Sequence, residues 1–266
     1  MTETGAGAPP FDDDKLKEEC GIFAVYGHGD AAAHAALGLH ALQHRGQEAA
    51  GIVSFDGAHF HSHRAVGLIG DIFGRRSVID GLPGHAAIGH ARYSTTGASM
   101  LRNVQPLFAD FAFGGLAVAH NGNLTNATLL RRRLVDEGSL FQSTSDTEVI
   151  IHLIARSGRQ TIVSRVVDAL REVEGAWSLV AVFDDGILGG RDPLGVRPLV
   201  LGRLDGAWIL ASETCALDIL GAEFVRDVEP GEIVVIDGGG VRSLRPFADE
   251  PRRFCIFEYV YFSRPD

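Results

Sequence analysis

The chain has 266 residues, of which 45% are apolar and 22% charged, and this composition is ordinary for a soluble globular protein with room for one large or two small domains. Its formal net charge of −10 argues against a nucleic-acid partner, because the phosphates of a nucleic acid require a basic face. The sequence has no apolar run of about 18 residues, the length that a membrane span needs, and no secretory signal. Three cysteines without an export signal favour unpaired thiols in a reducing cytoplasm.

In chain order, the sequence begins with a small, polar and acidic leader, residues 1–19, which is either a disordered tail or a propeptide. Short apolar runs bounded by Gly, Asp or Pro predict strands at 50–54, 86–90, 116–120, 179–183, 199–202, 208–211 and 233–236. Apolar residues at helical spacing predict helices at 31–43, 128–136, 147–156 and 162–173. Strands before the first long helix pair and strands again after it indicate an α+β fold.

The sequence contains no convincing linker between residues 20 and 246, so we expect this span to form one domain. Residues 247–266 differ, because they end in an apolar, aromatic segment that stops abruptly. An apolar terminus of this kind is typical of a strand cut from a larger protein. We therefore expect 247–266 to lead into a domain that lies beyond this chain.

Cys20 stands directly after the leader and at the head of an apolar run. If residues 1–19 are removed, its thiol and a free α-amino group share one residue. An α-amine titrates near pH ~8, so much of it is an unprotonated base at neutral pH. Cys20 would then carry both a nucleophile and its general base. The alternative is that Cys20 is a small core residue at the start of a buried strand.

Four further segments contain polar side chains that allow an ordinary structural interpretation as well as a chemical one. The structural interpretations are the following. Asn121-Gly122 follows an apolar strand, and this pair favours a hairpin turn. Asp146 precedes a predicted helix, where it favours an N-cap. Arg45 and Arg92 are typical of surface charges or salt-bridge partners. The nearby histidines match no zinc-ligand spacing.

Taken together with Cys20, these groups suit hydrolysis of a side-chain amide. A thiolate attacks the carbonyl, and an Asn side-chain N–H with an adjacent Gly backbone N–H can stabilise the oxyanion by about 3 kcal/mol per donor. A guanidinium holds a carboxylate in bidentate fashion. A carboxylate at a helix start can pair with an α-ammonium. Amide, carboxylate and ammonium together describe glutamine.

The set resembles the class II (N-terminal nucleophile) glutamine amidotransferases, and within them the amidophosphoribosyltransferases. The segments that carry the resemblance are 20–25, 42–52, 89–95, 120–124, 145–148, 191–199, 211–216 and 255–262. The leader and the Phe-Glu-Tyr-Val-Tyr-Phe run near the end distinguish this family from the glucosamine-phosphate synthases and other relatives. The resemblance implies a four-layer αββα sandwich of the N-terminal-nucleophile hydrolase type.

The resemblance also implies roles for individual residues. Cys20 would be the mature N-terminus and the nucleophile, exposed by loss of the leader. Asn121 and Gly122 would form the oxyanion hole. Arg92 would bind the α-carboxylate of L-glutamine, and Asp146 its α-ammonium.

Two further residues, Arg45 and Thr95, would line the glutamine pocket. Cys255 matches a ligand of the [4Fe–4S] cluster found in the family members with cleaved leaders, and the other ligands would lie in a C-terminal half that this chain lacks. That half would also bind phosphoribosyl pyrophosphate with Mg²⁺ and make 5-phosphoribosylamine, the first step of de novo purine synthesis. Cys215 has no role in the pattern and is interpreted as a core residue. The full-length family forms homo-oligomers.

Two alternatives stay open at this point. The chain could be another class II amidotransferase with a different acceptor. It could instead be an unprocessed and catalytically silent module that serves only in subunit contacts, because a retained leader would leave Cys20 without a free amine.

Overall fold

Two antiparallel β-sheets form the centre of the molecule in the computed structural model, which describes residues 20–93, 101–248, 250–253, 255–256 and 258. The first sheet has seven strands, in the spatial order β11 (Glu223–Asp227), β9 (Val200–Leu204), β10 (Ala207–Ala211), β1 (Gly21–Tyr26), β4 (Ala86–Arg92), β2 (Ala49–Phe55) and β3 (Phe60–Val66). The second has six, in the order β13 (Gly240–Leu244), β12 (Ile233–Asp237), β8 (Gly186–Arg191), β7 (Gly175–Phe183), β6 (Gly114–Leu124) and β5 (Leu107–Phe111).

The two sheets pack face to face through a layer of apolar side chains that both contribute. Ile22 of β1 and Ile88 of β4 belong to this layer, together with Ala119 of β6 and Val180 of β7. All four are completely buried. Apolar residues on the inner faces therefore hold the sheets together, since each strand turns alternate side chains toward the partner sheet.

Helices cover the outer face of each sheet. The helices are α1 (Ala31–Ala41), α2 (Ile69–Phe73), α3 (Arg76–Asp80), α4 (Ala127–Asp136), α5 (Thr147–Arg156), α6 (Ile162–Leu170) and α7 (Cys215–Asp218). Side chains of α1, α2 and α7 form one core with the first sheet, and those of α4, α5 and α6 form another with the second. The layers run helix, sheet, sheet, helix, which confirms the predicted α+β αββα sandwich.

Each of the seven predicted strands and four predicted helices corresponds to an observed element; the helix 147–156 has the predicted ends, and the other elements have shifted ends. The predicted helix 31–43 ends at Ala41, and a 3₁₀ turn at Gln43–Arg45 follows it. The predicted helix 162–173 ends at Leu170 and begins with a capping box in which Thr161 and Ser164 bond reciprocally. No helix within the described residues is long and apolar enough to cross a membrane.

The interpretation of Asn121-Gly122 as a hairpin turn is wrong. Both residues lie inside β6, where Asn121 is opposite Ser178 and Gly122 is opposite Trp177 of β7. Pairing along the whole length of β7 outweighs the local turn tendency of an Asn-Gly pair. The strand therefore continues to Leu124, past the predicted end at residue 120.

Candidate active site

Cys20 lies directly before β1, the middle strand of the first sheet, and only 4% of the residue is exposed. The backbone N–H of Cys20 donates a hydrogen bond to Oδ1 of Asn121 at 3.4 Å, across the gap between the sheets. Ile22 and Ser212 bond reciprocally, since the Ile22 N–H donates to Oγ of Ser212 and the Ser212 N–H donates to the Ile22 carbonyl, both at 3.0 Å. These bonds fix the backbone that carries the thiol.

Asn121 is fully buried, and its two amide atoms stand in different situations. Oδ1 accepts the hydrogen bond from Cys20, whereas Nδ2 has no partner among the described residues. A buried and unpaired amide donor costs about 1–3 kcal/mol. The site thus keeps one N–H donor beside Cys20 available for a further acceptor.

Gly122 follows with a backbone φ of +148°. A Cβ at this position would lie 2.0 Å from the carbonyl oxygen of Ala176 and 2.8 Å from Cα of Trp177. Both neighbours are backbone atoms of β7 and cannot move aside as a side chain could. Only glycine therefore fits between Asn121 and the next residue of β6.

Arg92 lies at the end of β4 and is linked to the segment that precedes α5. Its Nη1 donates to the carbonyl of Asn103 at 2.6 Å. The Asn103 side chain in turn bonds Thr144 twice, through Nδ2 to Oγ1 at 2.8 Å and through Oδ1 to the Thr144 N–H at 3.0 Å. Asn103 was not predicted, because nothing in its local sequence separates it from other loop asparagines.

Asp146 occupies the N-cap position of α5, as predicted, but its side chain makes no capping hydrogen bond. Its Oδ2 accepts the N–H of Leu124 at 3.0 Å, and its Oδ1 lies 3.7 Å from Nδ1 of His120. Burial raises the pKa of this carboxyl, but the nearby His120 and the backbone N–H donors outweigh it, so the pKa of Asp146 is lowered overall. The carboxylate is held in its charged form next to β6.

Glu148 stabilises the turn that precedes Asp146. Its carboxylate accepts the N–H groups of Gln142 and Ser143, both at 2.7 Å, as well as the Ser143 hydroxyl at 2.7 Å. The Ser-Asp-Thr-Glu motif at 145–148 thus combines a carboxylate that faces β6 with a second carboxylate that fixes its loop.

Arg45 is only 1% exposed, so it is not a surface charge, and the alternative interpretation of a salt-bridge partner is confirmed. Its Nε donates to the backbone carbonyl of Cys20 at 3.0 Å. Its Nη1 donates to Glu213 and, at 2.8 Å, to Oε2 of Glu258, while Nη2 donates to Oε1 of Glu258 at 3.1 Å. Arg197 binds the same carboxylate from the other side, with Nη1 2.9 Å from Oε1 of Glu258. The structure thus brings Arg45 to Cys20 through the Cys20 backbone.

His90 of β4 and His120 of β6 were not assigned a role, and both are buried. His90 is completely buried, and neither ring nitrogen has a partner among the described residues. Burial lowers the pKa of His90 to about 3, with help from the charges of Arg92 and His120. His90 is therefore a neutral ring at physiological pH.

The remaining residues predicted for the site and the cluster are Thr95 and Cys255. Thr95 lies outside the described residues. Cys255 is a half-buried free thiol whose carbonyl accepts the N–H of Glu258 at 3.1 Å. Cys215, interpreted as a core residue, packs partly buried against the first core, and its Sγ lies 3.7 Å from the Glu213 carboxylate.

Comparison with known proteins finds relatives in both sequence and structure. The family profile described as a glutamine amidotransferase domain matches residues 90–218, which include Arg92, Asn121, Gly122 and Asp146. The chain contains a glutamine amidotransferase domain. It is 55% identical to an amidophosphoribosyltransferase of Rhizobium etli over 97% of this chain and 53% of that protein. It is 51% identical to the chloroplastic amidophosphoribosyltransferase of Glycine max over 96% of this chain and 46% of that protein.

A solved structure described as the allosteric regulatory enzyme of purine biosynthesis superposes with a TM-score of 0.90. It is 45% identical in sequence and covers 93% of this chain and 53% of its own. These matches identify the chain as the N-terminal glutamine amidotransferase domain of the amidophosphoribosyltransferases, as the sequence motifs predicted. The chain spans about half the length of the curated relatives it matches.

Proposed function

We propose that this chain hydrolyses the side-chain amide of L-glutamine to glutamate and ammonia, with Cys20 as the nucleophile. The observation that carries the proposal is the position of Asn121. Its buried side chain binds the Cys20 backbone through Oδ1, while its Nδ2 has no hydrogen-bond partner in the part of the chain that the structure describes. That arrangement suits an N–H donor aimed at an oxyanion that forms only during the reaction.

The reaction begins when the leader, residues 1–19, is removed and the α-amine of Cys20 becomes free. The amine takes the thiol proton, and the thiolate attacks the amide carbon of glutamine. Asn121 Nδ2 and the Gly122 N–H stabilise the oxyanion. The tetrahedral intermediate expels ammonia, which receives the proton from the α-ammonium, and leaves a γ-glutamyl thioester. Water then hydrolyses the thioester, releases glutamate and restores the thiol.

Substrate recognition falls to Arg92 for the α-carboxylate and to Asp146 for the α-ammonium. The chain of hydrogen bonds through Asn103 and Thr144 supports this pairing, because it ties the end of β4 to the loop before α5. The lowered pKa of Asp146 keeps its carboxylate charged for an ammonium partner. Thr95 stays assigned to the same pocket.

The full-length protein, in this proposal, passes the ammonia to phosphoribosyl pyrophosphate and forms 5-phosphoribosylamine, the first step of de novo purine synthesis. This part of the proposal is supported by the names of the relatives. One of them, 55% identical to this chain, is named an amidophosphoribosyltransferase. Mg²⁺ and phosphoribosyl pyrophosphate belong to the part of those proteins that this chain does not span. Homo-oligomer formation and a cytoplasmic location remain predictions.

Cys255 is proposed as one ligand of a [4Fe–4S] cluster. A cluster of this type takes about four thiolates, and the whole sequence contains three cysteines, one of which is the nucleophile. The half-buried thiol of Cys255 fits the role of a single ligand, with the others supplied from outside this chain. The cluster has no part in the glutaminase steps above.

A glutaminase assay on matched variants tests the proposal. Cys20→Ala should abolish hydrolysis, whereas Cys215→Ala, which removes a thiol elsewhere, should leave it intact. Arg92→Ala should raise the KM for glutamine by roughly tenfold or more, since a hydrogen bond to a charged group contributes about 1.5–3 kcal/mol. The exposed Arg132→Ala is its control. Normal hydrolysis by Cys20→Ala would refute the nucleophile, and processed wild-type protein without any activity would favour the silent module.

A further inference from the structure

The ion-pair cluster of Arg45, Glu213, Glu258 and Arg197 connects the segment after β13 to the backbone of Cys20. We infer that Glu258 is a positioning residue for Cys20 and acts on it through Arg45. This inference rests on the proposed function, because it assigns Glu258 a part in the same glutaminase reaction. Glu258 itself has no described contact with Cys20, Asn121 or Asp146.

Burial makes Arg45 dependent on its anions. A guanidinium that is 1% exposed is costly unless carboxylates pair with it and satisfy its donors. Burial lowers the pKa of Arg45, but Glu258 first and then Glu213 outweigh it, so the pKa of this group is raised overall. In the described contacts, Glu258 bonds both terminal nitrogens of Arg45, whereas Glu213 bonds Nη1.

Glu258 also separates two cations. Its carboxylate lies between Arg45 and Arg197, with Oε1 bonded to both guanidinium groups. Among the described residues, the cluster holds two guanidinium groups and the two carboxylates of Glu213 and Glu258. Loss of the Glu258 charge removes one of these two carboxylates from between the guanidinium groups, and their repulsion would move Arg45 from its position.

Displacement of Arg45 would be transmitted to the nucleophile. Cys20 is held at both of its backbone polar groups. Arg45 Nε donates to its carbonyl, and its N–H donates to Asn121. Cys20 is proposed to carry the thiol and the α-amine, so a small rotation of its backbone moves nucleophile and base together. A misplacement of about 1 Å can cost about a hundredfold in rate.

Substitution of Glu258 should lower the turnover of glutamine and leave glutamine binding unchanged. The described donors of Arg45 are directed at the Cys20 carbonyl and at two carboxylates. The groups proposed to bind glutamine have other partners, since Arg92 bonds Asn103 and Asp146 bonds Leu124. We therefore expect Glu258→Gln to lower kcat by about ten- to a hundredfold and to leave the KM for glutamine unchanged. Glu250→Gln, an exposed carboxylate on the same segment, is the matched control and should behave as the wild type.

The experiment measures kcat and KM for glutamine hydrolysis by the processed protein, together with thermal unfolding of each variant. Arg45→Gln and the double variant with Glu258→Gln complete a cycle. If Glu258 acts through Arg45, the double variant is no slower than Arg45→Gln alone. Should Glu258→Gln fail to fold, Glu258→Asp serves instead, because it keeps the charge but shortens the side chain, so it should weaken the bonds to Arg45 and lower kcat in the same direction.

Three results would overturn the inference: an unchanged kcat in a folded Glu258→Gln, a raised KM with kcat intact, or additive effects in the cycle. In each of these cases wild type and Glu250→Gln are active, so the glutaminase proposal survives. If instead wild type and Glu250→Gln are both inactive after processing, the glutaminase proposal fails and the role of Glu258 fails with it.

Discussion

Replacing Gly122 by alanine should destabilise the protein more than the same change at an open glycine. The positive φ at Gly122 costs an alanine about 1–2 kcal/mol. The new Cβ would also lie 2.0 Å from the carbonyl oxygen of Ala176, and such overpacking adds about 1–3 kcal/mol. Gly122→Ala should therefore lower the free energy of unfolding by about 2–5 kcal/mol.

Gly138→Ala isolates the conformational part of that cost. Gly138 also has a positive φ, +93°, but a Cβ there would meet nothing within 4 Å. The Gly138→Ala variant should lose only about 1–2 kcal/mol of unfolding free energy. Urea unfolding followed by circular dichroism compares the two variants on one scale. Equal losses at the two positions would refute the claim that backbone atoms of β7 exclude every side chain at residue 122.

Three further predictions concern the buried polar groups of the site. Asn121→Ala should lower kcat for glutamine hydrolysis by about 10²–10³, measured by glutamate release; a loss confined to KM would contradict an oxyanion role. The pKa of Asp146 is lowered in the folded protein, so its carboxylate contributes to stability at pH values above its unfolded pKa. The difference in unfolding free energy between wild type and Asp146→Asn should be constant above about pH 5 and shrink as the pH falls below about 4; a difference that already shrinks at pH 6 would contradict this. The pKa of His90 is lowered from 6.5 to about 3, so wild type should lose stability as the pH falls through that window. His90→Leu should lose less over the same window, because the slope per titrating proton is at most about 1.4 kcal/mol per pH unit, and parallel pH profiles would contradict the assignment.

The sequence predicts the interior of the fold better than its edges. All seven predicted strands are strands in the structure, and each is apolar along most of its length. Six strands are absent from the prediction. Two of them, β1 and β8, are interior strands, and the other four, β3, β5, β11 and β13, are the edge strands of the two sheets. An edge strand has one neighbour and a half-exposed surface, so its residues are mixed in polarity and resemble loop residues in a single sequence.

Some residues of the candidate site could also be predicted from the sequence, and others could not. Motifs near Cys20, Asn121 and Asp146 could be recognised because each has a characteristic local pattern. The partners of Arg45 could not, since Glu213 and Glu258 lie 168 and 213 residues away along the chain. Their proximity depends on how β1, β10 and the segment after β13 come together, and no local pattern encodes that arrangement.

The most direct test of the central claim is the intact mass of the purified protein after exposure to an electrophilic glutamine analogue. We expect a species that begins at Cys20 and carries one adduct, because leader removal, thiol reactivity and glutamine recognition are all required for it. Cys20→Ala should carry no adduct under the same conditions. A protein that keeps residues 1–19 and stays unmodified, or an adduct on Cys215 or Cys255 instead, would contradict the assignment of Cys20 as an N-terminal nucleophile.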